Sequence, residues 1–203
     1  MRIRDQHTVS QVLSGVAIAA CLVFWAHPAG AHDIRSQVTD LSEMLRVHPE
    51  YPVPSEPNQL FYIERSSNSN TVIYAAKLDA KGQLDSETPV VAYWRWYHRG
   101  GYIKQLNLPE RMLAYGIKSL KHDGPNGAWS FSIAAFPDRT IYVDLDSKGR
   151  PEAFGKVGDR WGKLVYVYLE VDDSGILPDV TAMDFFGIDR KTGKPFREHV
   201  TRR

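Results

Sequence analysis

The feature that most constrains this chain is a series of short segments, between residues 60 and 200, with the alternation of a β-strand. In one of them every second position is apolar: Val90, Ala92, Trp94 and Trp96. A period of two places successive side chains on opposite faces of a strand. Similar runs, rich in β-branched and aromatic residues, predict strands at 60–64, 71–78, 115–121, 129–136, 140–146, 152–157, 163–171, 180–188 and 195–200.

The runs are separated by turn residues rather than by long helical segments. Examples are the turns predicted at Pro137–Asp138 and at 191–194. Because a parallel strand–helix–strand unit needs a crossover helix, we expect an antiparallel, mainly all-β fold. About nine strands then form one β-sandwich or one up-and-down barrel. A barrel would enclose a ligand cavity and a sandwich would fill it, and alternation alone does not distinguish them.

Two helices are expected beside the strands. Ile34, Val38, Leu41 and Leu45 lie on one stripe of a helix, which must end by His48 because prolines follow. Asn107 and Glu110, with Pro109 between them, resemble a capping box and predict a short helix near 107–114.

The first 31 residues have the three parts of a secretory signal. Arg2 and Arg4 precede an apolar stretch at 12–26, and Ala29-Gly30-Ala31 forms a small-residue cleavage site. We therefore expect cleavage after Ala31 and a periplasmic or extracellular protein. Cys21 closes a lipobox-like sequence, so lipidation there and an uncleaved anchor remain alternatives. The predicted domains are a signal peptide at 1–31, a helix and Pro-rich linker at 32–58, and an antiparallel β-domain at 59–203.

Charge limits the partners of the exported part. The chain has 25 basic and 24 acidic residues, and removal of residues 1–31 leaves it formally neutral. Capture of nucleic acid or of an anionic membrane depends on a clustered basic excess. We expect no nucleic-acid partner, and membrane attachment only through Cys21 or an uncleaved signal.

Several segments resemble a known family. The segments LFYIERS at 60–66, NTVIY at 70–74, PVVAYW at 89–94 and AYGI at 114–117 look like the domain of unknown function family 4833. The part from Phe186 to Glu198 is similar to the C-terminal end of that family. The resemblance covers about residues 58–200. It implies an exported or envelope-associated domain without a known activity, so it assigns no catalytic residue.

The aromatic-rich strands suggest a binding site. Aromatic faces with a few polar groups suit an apolar or sugar-like ligand. The candidate binding residues are Arg65, Asn70, Tyr74, Tyr93 and Arg95. The same aromatic side chains would serve equally well in a β-core. The leading hypothesis is an exported β-domain that binds a small ligand or an envelope protein.

Two alternatives remain open. A purely structural accessory domain would have a filled core and no pocket. An envelope hydrolase or isomerase would combine a dispersed carboxylate with a histidine, since acid and base groups need not be adjacent in sequence. Its candidate residues are Glu64, Asp184 or Glu198 with His98. Whether the protein is an enzyme is thus left open.

The sequence predicts no cofactor and no metal site. It has no nucleotide-binding glycine fingerprint, no Walker loop and no His-Glu-x-x-His motif. One metal alternative is a copper brace at His32, which would become the N-terminus after cleavage and would need a second histidine. The histidines considered for that role are His98, His122 and His199.

Overall fold

The computed structural model describes residues 46–174 and 179–201, which form a mainly β structure. The predicted signal segment, the predicted helix at 34–45 and the N-terminal His32 lie outside these residues. The strands are β1 (Gln59–Arg65), β2 (Asn68–Ala76), β3 (Val90–Trp96), β4 (Tyr102–Gln105), β5 (Ile117–Lys121), β6 (Trp129–Ile133), β7 (Phe136–Leu145), β8 (Pro151–Val157), β9 (Arg160–Asp172), β10 (Asp179–Asp189) and β11 (Pro195–Thr201). Short helical turns occupy Tyr97–Arg99, Glu110–Ala114 and Pro125–Gly127.

The strands form one curled sheet, a half-barrel, with the order β4-β3-β2-β1-β9-β8-β7-β6-β5. Strand β10 pairs with the other edge of β9 and with β11. The mainly β prediction is therefore confirmed. The half-barrel lies between the two alternatives considered, a sandwich and a closed barrel. It is a single curled sheet, but β4 and β5 end the strand order without pairing with each other.

Strand β9 joins the two halves of the sheet. Its first residues pair with β8 and its later residues, from Tyr166 to Leu169, pair with β1. We call β1–β4 the first wing and β5–β8 the second wing. The pairing of β1 with β9 is parallel, unlike the antiparallel pairing expected from the sequence. The two strands are not joined by a hairpin turn, because the strands of both wings lie between them in the chain.

A large apolar core lies between the wings. On the first wing it contains Phe61, Ile63 and Tyr74, and on the second it contains Phe131 and Ile141, all of them almost fully buried. A second cluster lies on the opposite face of the sheet and includes Tyr62 of β1, Tyr166 of β9 and Phe186 of β10. Strands β1 and β9 are thus apolar on both faces, because neighbouring residues such as Tyr62 and Ile63 of β1 belong to different clusters.

Residues 46–58 cross the outer face of the first wing, and we call them the strap. Arg46 Nη2 donates to Glu64 Oε1 at 2.9 Å, and Arg95 Nε donates to Glu56 Oε1 at 2.7 Å. His48 Nε2 lies 3.0 Å from the hydroxyl of Tyr168. The Pro-rich linker is therefore held by side chains that β1, β3 and β9 project outward.

Two local predictions need correction. Pro137 and Asp138 are not a turn but lie in β7, and the turn falls at Ala134 and Ala135. The amides of Ala134 and Ala135 donate to the carbonyls of Gly116 and Ala114, at 3.0 and 2.8 Å, which fixes the turn there. Strand β4 was not predicted, because its four residues follow a Gly-Gly pair and are mostly exposed.

The Arg95–Glu56 ion pair gives a test of the strap. We expect Arg95→Gln and Glu56→Gln each to lower the free energy of unfolding by about 1–3 kcal/mol, since each leaves a poorly solvated charge unpaired. The double variant should show a coupling energy of about 1 kcal/mol or more by urea denaturation. The Lys77–Asp85 pair is the control, because its lysine side chain is 52% exposed and its coupling should be smaller. Equal coupling in the two pairs would contradict the anchoring role of Arg95.

Candidate functional site

A cavity of about 1070 Å³ opens between the two wings, and we call it the inter-wing cavity. One end is walled by Arg65 and Trp94 of the first wing, and the other by Arg139 of the second wing. Side chains of β10 and β11 also line it. Its apolar lining includes Leu113, Ala114, Tyr115, Ala134, Ala135, Phe136, Val171, Val180, Met183, Phe185 and Val200.

The first end of the cavity combines a cation with an indole. The guanidinium carbon of Arg65 lies 4.7 Å from the centre of the Trp94 ring. Arg65 Nη2 donates to the neutral oxygen of Asn68 at 3.2 Å, and no ion pair of Arg65 occurs within the described residues. Trp94 is only 3% exposed, and its buried Nε1 has no hydrogen-bond partner in the part of the chain that the structure describes. Two nitrogen atoms of this wall, Arg65 Nε and Trp94 Nε1, thus have no acceptor among the described residues.

Tyr115 lies beside this cation–indole pair. Its ring meets Trp94 edge-on, with centroids 5.1 Å apart, and its carbonyl accepts a 2.7 Å hydrogen bond from the Tyr74 hydroxyl. Burial raises the pKa of the Tyr115 hydroxyl, while Arg65 opposes the shift. The phenol therefore stays protonated at neutral pH and can donate a hydrogen bond.

The other end of the cavity is built on an irregularity in β7. Residues 137–140 bulge between the paired positions Phe136 and Ile141, which face Ile133 and Phe131 of β6. Bulges redirect side chains, and here Arg139 lies with its guanidinium carbon 3.9 Å from the Phe185 ring centre.

Arg139 is already neutralised within the protein. Its Nη1 lies 2.8 Å from Glu198 Oε2, which also accepts the Gly158 amide at 2.7 Å. Partial burial works against ionisation of Glu198, but Arg139 and the Gly158 amide outweigh it and lower the pKa of that carboxyl. The two ends of the cavity thus differ: Arg139 has a carboxylate partner, and Arg65 has none among residues 46–174 and 179–201.

The helical turn Glu110–Ala114 forms part of the rim. Asn107 and Glu110 cap each other, since the Glu110 amide donates to Asn107 Oδ1 at 2.9 Å and the Asn107 amide donates to Glu110 Oε2 at 2.7 Å. A Cβ added to Gly116 would lie 1.8 Å from the Arg111 carbonyl oxygen. Only glycine at position 116 lets the turn pack this closely against the start of β5.

The structure separates the five binding residues suggested by the sequence. Arg65 lines the cavity, and Tyr74 is fully buried in the core beneath it. Asn70 Oδ1 lies 2.6 Å from His98 Nδ1 at the end of β2. Tyr93 packs in the outer cluster, and Arg95 holds the strap. The five therefore do not converge on one site.

The residues considered for a hydrolase are also dispersed. Glu64 is buried on the outer face against Arg46, and burial raises its pKa although Arg46 opposes the shift. A carboxylate does meet a histidine, but the pair is Asp184 and His199 rather than a pair with His98, at 2.8 Å. Arg197 also binds both oxygens of Asp184. None of these residues lines the inter-wing cavity.

Residues 46–174 and 179–201 contain no group of three or more His, Cys, Asp or Glu side chains that could hold a metal ion. No helix within the same ranges has the length and apolar character needed to cross a membrane.

The sequence reasoning missed Arg139, Tyr115 and Phe185. Pro137–Asp138 directs attention to a turn, so Arg139 looks like a loop residue, although the bulge places it in the cavity wall. Phe185 alternates regularly within its strand and carries no sign of facing a cavity rather than a filled core. The contacts of Arg139 with Phe185 and with Glu198 join β7 to β10 and β11, and no local sequence pattern encodes such contacts.

By its fold and cavity, the protein is a mainly β half-barrel with a ligand-sized space between two wings. Residues 61–199 match the sequence profile of a domain of unknown function, DUF4833, and the chain therefore belongs to that family. The comparisons found no matching curated protein and no matching solved structure. The family match begins after the strap and includes both walls of the cavity.

Glu198 gives a pH-dependent test of the second wall. We expect Glu198→Gln to lower the free energy of unfolding at pH 7 by about 1–3 kcal/mol, because Arg139 loses its charged partner. The folded-state pKa of Glu198 lies below the ordinary value of 4.5. The stabilisation is therefore complete above that value and is lost as the pH falls through the folded-state pKa.

Urea denaturation of both proteins across the acidic range would measure this difference. Glu87→Gln is the matched control, because Glu87 is exposed and none of the described ion pairs includes it. A stability difference for Glu198→Gln that grows as the pH falls would contradict the assignment.

Proposed function

We propose that this is an exported protein that binds a small, largely apolar ligand with an anionic group in the inter-wing cavity. The observation that carries this proposal is the cavity itself, with a volume of about 1070 Å³ and a mainly apolar lining. Small-molecule sites are concave, mostly apolar spaces of roughly 300–1,000 Å³ with a few placed polar groups. The signal-like pattern of residues 1–31 supports a role outside the cytoplasm.

Arg65 supports an anionic group on the ligand. A partly buried cation without a counter-charge is unfavourable, and a ligand carboxylate or phosphate would relieve this cost. The Tyr115 hydroxyl lies next to it and is a further donor. Arg139 does not compete for this role, because Glu198 already neutralises it.

The apolar lining sets the rest of the ligand. Met183 and Phe185 of β10 and Val200 of β11 contribute apolar side chains to the lining. Methionine and aromatic side chains adapt well to flexible apolar groups. An acyl chain or an extended hydrophobic ring system fits this lining better than a sugar, which would need a higher density of polar groups.

A competition assay tests the proposal. The fluorescent probe N-phenyl-1-naphthylamine should bind the purified protein and be displaced by palmitate. Ala135→Phe, which places a ring in the cavity, should weaken probe binding by about tenfold or more, as filling a site removes the space that the ligand occupies. Ala80→Phe is the matched control, because Ala80 is exposed in the turn after β2.

Arg65→Gln tests the anionic group. It should weaken palmitate about 10-fold or more, as loss of a charge-assisted hydrogen bond predicts, and leave hexadecanol nearly unchanged. Arg160→Gln, at a site outside the cavity lining, should change neither affinity. Equal probe binding by Ala135→Phe and the unsubstituted protein, with both folded by circular dichroism, would overturn the proposal.

A further inference from the structure

The gap in the half-barrel is crossed by one continuous segment. Strands β4 and β5 end the sheet path, yet they are consecutive in the chain, so residues 106–116 connect the two ends of the curled sheet. The helical turn Glu110–Ala114 lies in this connection and contributes Leu113 to the cavity lining. Because Leu113 both lines the cavity and is largely exposed, this segment lies at an opening of the inter-wing cavity.

This segment exposes large apolar side chains. Leu108, Met112 and Leu113 are 61%, 57% and 72% exposed, and Tyr102 and Ile103 on the edge strand β4 are also exposed. Scattered apolar residues are normal on a protein surface, but a group within a few residues indicates an interaction site.

Positive charge is concentrated in a wider stretch, from Arg99 to Lys121, that includes this segment and both flanking edge strands. The stretch contains five basic residues and one acidic residue, Glu110, although the chain as a whole is close to neutral. The five are Arg99, Lys104, Arg111, Lys118 and Lys121. None of them forms an ion pair with another described residue. Arg99 and Lys104 lie over the Trp96 ring, 5.0 and 4.3 Å from its centre.

We propose that the segment from Arg99 to Lys121 docks on an anionic lipid bilayer. Surfaces that combine unpaired basic residues with protruding aliphatic side chains bind at the headgroup boundary through both charge and apolar burial. The position at the cavity entrance would let an amphipathic ligand pass between the bilayer and the cavity. The docking does not depend on the ligand proposal, because the surface exists whether or not the cavity is occupied.

This proposal departs from the expectation based on total charge, which allowed membrane attachment only through Cys21 or an uncleaved signal. In the net charge of the whole chain, the basic excess of residues 99–121 is cancelled by acidic residues elsewhere in the sequence. Attraction to a charged surface depends on the local excess within about one Debye length, which is about 10 Å at 0.1 M salt. Local clustering is therefore the relevant quantity.

Vesicle flotation tests the docking. The signal-processed, non-lipidated protein, with its mass verified, should float with phosphatidylcholine vesicles that contain phosphatidylglycerol and not with phosphatidylcholine alone. Arg111→Gln/Lys118→Gln should reduce the bound fraction by about tenfold or more. Lys148→Gln/Lys191→Gln is the matched control, since both lysines are exposed in turns outside this segment.

The apolar contribution is tested separately by Leu108→Gln/Met112→Gln. Neither residue lines the cavity, so this variant should keep its affinity for N-phenyl-1-naphthylamine and lose vesicle binding by about tenfold or more. Loss of vesicle binding with intact probe binding separates the docking from the ligand proposal. Absence of binding to anionic vesicles by the unsubstituted protein, or equal binding by the Lys148/Lys191 control and the Arg111/Lys118 variant, would overturn the docking and leave a protein partner as the occupant of this surface.

Discussion

The structure depends on the long strand β9, because its hydrogen bonds connect every other part of the sheet. One edge is divided between β8 and β1, and the other pairs with β10 over most of its length. Because β1 and β8 pair with different parts of the same edge of β9, these two strands separate from each other away from that edge. This divergence creates the two wings, and the wings create the cavity. The core residues Val167 and Leu169 lie in β9 at this branch and are almost fully buried.

The two faces of the first wing serve different purposes. The inner face joins the core and one wall of the cavity, whereas the outer face carries Glu64 and Arg95, which hold the strap together with Tyr168 of β9. Buried ion pairs of this kind add little net stability compared with apolar packing, but removing one partner is costly. The strap is thus fixed by specific partners rather than by a large apolar surface.

Local patterns predicted the strands well and the arrangement poorly. Alternation identified Val90–Trp96 because side chains facing two sides of a strand meet two different environments. The parallel pairing of β1 with β9 was not predictable, since it joins Tyr62 to Tyr166 across about half the chain. For the same reason Arg65 was identified as a candidate from its neighbours, while Arg139 was not, because its role arises from a bulge and a distant glutamate.

The absence of hydrogen bonds between β4 and β5 distinguishes this fold from a closed barrel. In a closed barrel, any change in diameter must break or slide a complete ladder of backbone hydrogen bonds. Here no such ladder joins β4 to β5, so the width of the opening between the wings is set by side-chain packing and by the connection at residues 106–116 rather than by backbone hydrogen bonds.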